Sequence, residues 1–221
     1  MITVLGRRNS ANVQKVMWAL GELQIPYVRE DVGGSFGYPN DYPSPNAVVP
    51  AILDEIPSGK VVVWESNACV RYLARTYGRA SLWPVQETEL ATADMWMEWQ
   101  RSDISAAFFP LFQMLVRGLG STPEKIERLT KQCGTCFQQL DKQLVRRDYI
   151  CGKELTIADI TIGAMMFRYM TLPIERPSLK NMQAWYQRLE QRPAFQKHVM
   201  IEYGSNVDEW NTHEQANAQI Q

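Results

Sequence analysis

Residues 48–66 of the chain read VVPAILDEIPSGKVVVWES. Two apolar runs, at 50–53 and 61–64, flank a turn at 57–59 that contains proline, serine and glycine. This pattern is typical of an antiparallel β-hairpin. Beyond the hairpin, Ser66 can cap a helix. The apolar stripe of that helix is formed by Val70, Leu73, Ala74 and Tyr77. The stretch therefore predicts a ββα unit.

The residues before this unit switch between an extended and a helical pattern. Residues 2–5 form a short apolar run, and residues 13–20 place apolar side chains at the i, i+3, i+4 and i+7 positions of a helix. Residues 27–32 are extended again. A strand, a helix and a strand of these lengths predict a right-handed parallel βαβ unit. We therefore expect residues 1–80 to form one α/β domain.

A linker at 81–86 separates this domain from a second part that shows helical patterns only. The stretch from Gln86 to about Leu119 predicts one long helix, bent at Pro110. Further helix starts are indicated at Thr122-Pro123, at Thr156 with Asp159 in a capping box, at Pro177-Ser178 and near Pro193. We expect an all-α domain at 87–205 and a polar tail at 206–221 that is ordered only if it docks.

The composition excludes several classes of function. The chain has 23 Lys and Arg against 24 Asp and Glu, and this balance argues against nucleic acid or an anionic membrane as a partner. The four cysteines and two histidines show no metal-ligand spacing, and Cys133 and Cys136 fall within a helix, where packing is expected. Neither a signal-peptide pattern nor an apolar stretch of bilayer length occurs. The sequence thus predicts a cytoplasmic protein without a metal.

The order of these units resembles the cytosolic glutathione S-transferases over nearly the whole chain. Residues 48–50 (Val-Val-Pro) are similar to the family's turn before strand three, where the proline is cis, and residues 64–68 (Trp-Glu-Ser-Asn-Ala) to its Glu-Ser glutathione motif. Residues 152–159 and 176–195 are similar to the second domain's capping motif and its late tryptophan-containing helix. The stretch at 6–16 is most similar to bacterial theta-like or beta-like members. The resemblance implies a thioredoxin-like domain followed by an all-helical domain, in a homodimeric detoxification enzyme.

Conjugation of glutathione to an electrophile requires a thiolate, because the thiol has a pKa of about 8.5 and is a poor nucleophile. Ser10 lies just before the first predicted helix, where a hydroxyl and a helix N-terminus can both stabilise the anion. Spacing alone favours an ordinary N-cap serine, whereas the resemblance matches Ser10 to the family's catalytic serine. Asn9 and Asn12 lie on the same turn. Some bacterial relatives hold the sulfur with an asparagine or threonine there, so Asn12 is the second catalytic candidate and Asn9 a glutathione contact.

The resemblance also implies which residues hold the rest of glutathione. Ser66 and its backbone amide, at a helix N-terminus, form an anion site for the γ-glutamyl carboxylate. Glu65 is the adjacent acid for the γ-glutamyl ammonium group. Val49 precedes the expected cis Pro50, and its backbone N–H and C=O would pair with the cysteinyl unit in the manner of an added strand.

Two departures from the family pattern concern the residues before the cis proline. Many relatives hold the glycine carboxylate of glutathione with a Lys, Arg or His there, but no cation occurs from Val32 through Gly59. Asn40, or Arg7 with Arg8, would have to replace it. Ala47 stands where the family usually has glycine. These departures motivate one alternative function, a non-catalytic binding protein with the transferase fold.

We expect the electrophile pocket between the two domains. Ser105, Phe109 and Phe112 recur at the i, i+4 and i+7 positions of the long helix, and Trp210 from the tail can join them. An aromatic stripe at this spacing is more often part of a core. Asp103 is a candidate contact to the glutathione amine of a partner subunit.

A second alternative function is that of a glutathione-dependent disulfide or peroxide reductase. Some relatives with asparagine or threonine near the sulfur perform this reaction. Relatives that keep a mixed disulfide place cysteine where this chain has Ser10, which argues against that version.

Overall fold

The computed structural model describes residues 1–78, 81–218 and 220. Its first part contains four strands, namely β1 (Ile2–Leu5), β2 (Tyr27–Glu30), β3 (Ala51–Ile56) and β4 (Gly59–Trp64). They form one sheet in the order β2-β1-β3-β4, in which β1 runs parallel to β2 and antiparallel to β3. The β3 and β4 strands pair as an antiparallel hairpin. The βαβ unit and the hairpin are confirmed, although β2 ends at Glu30 rather than Val32.

Two helices, α1 (Ala11–Glu22) and α2 (Ser66–Tyr77), pack against this sheet and against each other. The apolar positions that predicted α1 are buried. Ser66 is not the cap of α2, because Glu65 occupies the N-cap position with a positive φ of 69° and Ser66 is the first helical residue. The first backbone N–H groups of α2 therefore begin at Ser66 without partners inside the helix.

The second part of the chain consists of helices. Among the described residues after 78, β pairing is limited to one isolated bridge between Tyr149 and Gly152. No helix in the described ranges is both long and apolar enough to cross a lipid bilayer. The helices are α3 (Glu87–Trp99), α4 (Ser105–Arg117), α5 (Pro123–Gln143), α6 (Ile157–Gly163), α7 (Met166–Thr171), α8 (Lys180–Glu190), α9 (Pro193–His198) and α10 (Val207–Ala216).

The predicted long helix is interrupted. A π-helical turn at Gln100–Ile104 separates α3 from α4, whereas Pro110 lies inside α4. The buried side chain of Gln100 donates to Ser105 Oγ at 2.8 Å, and that hydroxyl donates back to the Gln100 carbonyl at 2.9 Å. A π turn holds one more residue than an α turn, so side chains change direction between the two helices.

Two further differences concern the later helices. The helix that begins at the confirmed Thr156–Asp159 capping box ends at Gly163, and α7 starts separately at Met166. The tail forms α10, which the sequence analysis did not predict. The side chain of Asn206 caps α10 through the backbone N–H groups of Asp208 and Glu209. The predicted end of the first domain, residue 80, lies outside the described residues.

The α1 helix joins the two parts of the molecule. It contacts α2 on one side and α6 and α9 of the helical part on the other. Trp18 packs edge-on against Phe195 with ring centroids 4.9 Å apart, and Gly163 leaves room because a Cβ there would lie 2.8 Å from the Trp18 ring. Glu22 forms an ion pair with Arg192 at 2.6 Å. These contacts fix α1, and with it the loop that leads into α1.

Candidate active site

A cavity of about 380 Å³ opens at the N-terminus of α1. The loop after β1 forms one wall, α4 forms another, and single residues from other segments complete it. The lining residues are Arg7, Asn9, Ser10, Ala11, Asn12, Tyr38, Val48, Val49, Phe109, Phe112, Gln113, Arg117, Arg168 and Trp210. The three candidates on the first turn, Asn9, Ser10 and Asn12, therefore meet at one place.

Ser10 occupies the N-cap position of α1 in an extended conformation. Its backbone carbonyl accepts the first helical hydrogen bond, from the Gln14 N–H at 2.8 Å, but its side chain makes no capping hydrogen bond. The Ser10 hydroxyl therefore does not accept a hydrogen bond from the first turn of α1, as an N-cap serine usually does. Ser10 combines a hydroxyl with the positive end of the α1 dipole at the wall of the cavity.

The two neighbouring asparagines differ in their bonding. Asn12 Oδ1 accepts a hydrogen bond from Ser66 Oγ at 3.2 Å, which links the N-termini of α1 and α2. Asn9 is buried, and neither atom of its side-chain amide has a partner among the described residues. Because a buried amide without partners is costly, Asn9 is available for a ligand, whereas Asn12 is already engaged.

The peptide bond between Val49 and Pro50 is cis, as the family resemblance implies. Val48 and Val49 line the cavity, while Pro50 stands just outside its wall. The loop after β1 approaches this turn closely at Gly6, where a Cβ would lie 2.5 Å from Val13 Cγ2 and 3.2 Å from Val49 Cβ. Glycine at this position therefore lets the cis proline turn sit beside the start of α1.

A buried lysine that the sequence analysis did not single out lies behind the start of α2. Lys15 Nζ donates to Ser66 Oγ at 3.3 Å, Asn67 Oδ1 at 2.9 Å and Gln100 Oε1 at 3.0 Å. Burial lowers the pKa of Lys15 to about 7, and the nearby charge of Glu65 raises it in part. Lys15 therefore links α1, α2 and the π turn through a network of polar side chains, and Ser66 joins that network to Asn12.

Glu65 and Ser66 lie next to the cavity rather than in its wall. Ser66 reaches the cavity through its bond to Asn12. Glu65 and the first N–H groups of α2 lie at the same turn, so an acid is adjacent to a helix N-terminus there.

The predicted electrophile residues are brought together only in part. Phe109, Phe112 and Trp210 line the cavity, and the rings of Phe112 and Trp210 lie 5.6 Å apart. Ser105 does not line it, because its hydroxyl is turned back to Gln100 in the π turn. Asp103 is exposed on the same turn. The three aromatic residues therefore lie together at the cavity, whereas Ser105 does not join them.

The arginines at or near the cavity differ in their partners. Arg7 lines it and forms an ion pair with Glu214 of α10 at 2.8 Å, whereas Arg8 turns away and donates to Asn217 and to the Lys197 carbonyl. Arg168 of α7 is buried, and burial lowers its pKa to about 10, so the guanidinium stays charged at neutral pH. Arg168 was also missed, and its only sequence signal is that it ends a long apolar stretch. Asn40 is exposed and does not line the cavity.

Comparison with known proteins identifies the family. The N-terminal domain model of glutathione S-transferases matches residues 9–76, and the C-terminal domain model matches residues 104–193. Glutathione S-transferase GstB of Escherichia coli strain K12 is 36% identical over 210 residues, covering 91% of this chain and 99% of the relative. Glutathione S-transferase 1 of Triticum aestivum is 28% identical over 228 residues, covering 91% and 96%.

A solved structure agrees with these matches. The theta class glutathione S-transferase of Xanthomonas axonopodis pv. citri, determined with glutathione bound, is 39% identical with a TM-score of 0.83, over 91% of this chain and 98% of that one. The predicted thioredoxin-like domain followed by an all-helical domain is confirmed. The chain belongs to the glutathione S-transferase family and is a transferase.

Proposed function

We propose that this transferase joins the thiolate of glutathione to a small electrophile, and that Ser10 stabilises the thiolate. The observation that carries the proposal is the state of the Ser10 side chain. It lies at the N-terminus of α1, makes no capping bond and lines a cavity that Val49 also lines. The GstB relative and the glutathione-bound theta class structure support glutathione as the cosubstrate.

The proposed activation is sufficient in magnitude. Lowering the thiol pKa by two units requires about 2.7 kcal/mol of preferential stabilisation of the anion. A hydrogen bond from a hydroxyl to a charged sulfur contributes about 1.5 to 3 kcal/mol, and a helix N-terminus contributes about 0.3 to 2 kcal/mol. The Ser10 hydroxyl and the α1 dipole together therefore reach the required value.

The remaining parts of glutathione would be held by the turns around the cavity. We assign the γ-glutamyl carboxylate to the first N–H groups of α2 and the Ser66 hydroxyl, with the γ-glutamyl ammonium near Glu65. The cysteinyl backbone would pair with Val49, whose orientation depends on cis Pro50. Asn9, with its unpartnered amide, is a further contact.

The electrophile would lie against Phe109 and Phe112. In the conjugation step the sulfur lone pair forms a bond to an electrophilic carbon, and a leaving group such as halide departs with its bonding electrons. Reduction through an enzyme mixed disulfide is not favoured, because none of the described residues that line the cavity is a cysteine.

We also propose a cytoplasmic homodimer, in which Asp103 faces the partner, and domain limits at 1–80, 87–205 and 206–221 with the linker at 81–86. The family resemblance supports these assignments. Size-exclusion chromatography with light scattering tests the dimer, since a monomer at working concentration would contradict it.

Replacing Ser10 with alanine tests the proposed function. Ser10→Ala removes one charge-assisted hydrogen bond, so turnover of 1-chloro-2,4-dinitrobenzene at pH 6.5 should fall about 10- to 150-fold. The KM for glutathione should change much less, and raising the pH should recover part of the rate as thiolate forms without help.

Two further variants complete this test. Ser58→Ala removes an exposed hydroxyl outside the cavity and should leave the rate unchanged. If Ser10→Ala keeps the wild-type rate and pH profile while Asn12→Ala loses both, Asn12 is the activating donor. If neither Ser10→Ala nor Asn12→Ala alters the rate, the proposed activation at this turn is wrong.

A further inference from the structure

We propose that the electrophile conjugated by this enzyme carries a carboxylate or a similar anionic group, and that Arg168 and the side-chain amide of Asn9 bind that group in the cavity. This inference rests on the proposed function and specifies its substrate class.

Arg168 is a buried cation whose charge is not paired. It is 3% exposed, and no carboxylate of the described residues lies within 4 Å of its guanidinium nitrogens. Its Nη2 donates to the Asn9 carbonyl and, at 3.4 Å, to Gln14 Oε1. Its Nε has no partner among the residues that the structure describes. Taking a cation out of water without a counter-ion is unfavourable, so the site gains from an anion.

Aromatic rings hold the guanidinium in place without neutralising it. Its central carbon lies 5.0 Å from the ring centroid of Phe112, 5.7 Å from that of Trp210 and 5.9 Å from that of Tyr203. Contacts of this kind are attractive and restrict where the cation can move. Arg168 is therefore positioned before a ligand arrives, and its planar group suits a carboxylate.

Two other side chains of the cavity carry hydrogen-bond donors. Asn9 is 1% exposed, and neither its amide nitrogen nor its amide oxygen has a partner in the described part of the chain. Arg117 also lines the cavity, with its guanidinium carbon 5.6 Å from the Trp210 ring. Among the described residues, those lining the cavity include three arginines and no aspartate or glutamate, and Arg7 is the one of the three with an ion-pair partner there. The cavity is therefore electropositive.

The apolar groups indicate what the anion is attached to. Phe109, Phe112 and Trp210 line the cavity, and aromatic rings there suit a flat or short apolar body. An aryl or alkyl halide that bears a carboxylate fits both features. In the reaction the thiolate forms the C–S bond, halide leaves with the C–X electron pair, and the carboxylate remains ionised and unchanged.

The same chemistry could serve the glycine carboxylate of glutathione, which lacks its usual cation in this chain. The two sources are distinguished by masking one carboxylate at a time. Glutathione with its glycine carboxylate esterified removes the first source, and an esterified electrophile removes the second.

The test compares 4-chloro-3,5-dinitrobenzoate with its methyl ester, each with glutathione and each rate divided by the uncatalysed rate. We expect the normalised kcat/KM of the wild type to be about 10- to 150-fold higher for the benzoate than for its ester. A hydrogen-bonded charge pair stabilises the bound benzoate by the free energy that corresponds to this ratio. This comparison needs no variant. Equal normalised rates for the two electrophiles would overturn the inference while leaving the proposed function intact. Turnover of neither electrophile would overturn the inference alone if 1-chloro-2,4-dinitrobenzene is still conjugated, and would overturn both if it is not.

Variants then assign the preference to Arg168. Arg168→Met should reduce the benzoate preference to about onefold, and Arg168→Lys should retain part of it. Arg176→Met is the matched control, since Arg176 also lies over a ring, that of Tyr169, but outside the cavity, and it should keep the wild-type preference. If Arg168→Met instead raises KM for glutathione but not for its glycine ester, the bound anion is the glycine carboxylate and the electrophile assignment is wrong.

Discussion

Two buried cations, Lys15 on α1 and Arg168 on α7, differ in how their hydrogen-bond donors are used. Lys15 has three donors, and three side-chain oxygens of the protein accept from it. Arg168 has five donors, and the structure gives its Nη2 two acceptors while its Nε has none among the described residues. Among the residues that the structure describes, no carboxylate lies within 4 Å of either cation.

The difference separates a structural cation from a binding cation. The donors of Lys15 are satisfied inside the protein, so its role is to hold the ends of α1, α2 and the π turn together. The donors of Arg168 are satisfied only in part, at the wall of an open cavity. A buried charge without an acid partner is thus not sufficient to mark a binding site, and the number of donors left over is the more informative observation.

The largest expected effect is on stability. Lys15→Ala removes a buried stem and leaves the amide oxygens of Asn67 and Gln100 with one donor fewer, so the free energy of unfolding should fall by about 2 to 5 kcal/mol. Arg168→Ala opens space that is continuous with the cavity and can fill with water, so we expect a smaller loss of about 1 to 2 kcal/mol. Urea denaturation of both variants measures the difference. Equal losses would contradict the distinction between the two cations.

The next effect concerns the pH dependence of stability. Burial lowers the pKa of folded Lys15 to about 7 from the ordinary 10.5, so between these values the unfolded chain binds more protons. The free energy of unfolding should therefore rise with pH from about 7 to 10.5, by up to about 1.4 kcal/mol per pH unit, and Lys15 contributes no slope below pH 7.

Lys15→Met should lose this slope, whereas Lys153→Met, which changes an exposed lysine, should keep it. Urea denaturation at pH 6, 7.5 and 9 measures it. A wild-type curve parallel to that of Lys15→Met across this range would show that Lys15 is not the group that titrates.

The smallest expected effect is stabilisation by a free anion. Benzoate at ten times its dissociation constant should stabilise the wild type by about 1.4 kcal/mol, which is roughly 3 to 6 °C in Tm for a chain of this size. Lys15→Met should show the same rise, and Arg168→Met should show none. Neutral benzamide serves as the control ligand. A benzoate effect that survives in Arg168→Met would place the anion elsewhere.

The parts of the fold that could be predicted from the sequence depend on local patterns. The hairpin follows from two apolar runs around the turn at 57–59, and the capping box at Thr156 is confirmed because its partner Asp159 lies three residues away. The helix α10 was missed although its signal was present, since Asn206 followed by Asp208 and Glu209 is a typical N-terminal pattern. The polar composition of residues 206–221 indicated a tail rather than a helix.

The site residues that were missed depend on packing between distant segments. Lys15 reads as one polar residue on an amphipathic helix, and only the arrival of α2 and the π turn buries it. Ser105 shares a helix face with Phe109 and Phe112 by periodicity, but its bonds to Gln100 turn it away. Arg168 becomes informative only when the rings of Phe112, Tyr203 and Trp210 are found around it.

The contacts of the loop before α1 with the segment around α10 have a consequence for the order of folding. Arg8 and its partner Asn217 are 209 positions apart in the chain, and the partner of Arg7, Glu214, lies in the same late segment. During synthesis the sheet and its two helices can pair long before that segment exists. The turn that carries Ser10 is thus made well before that segment and reaches its final surroundings only after it, because contacts so distant in sequence close late.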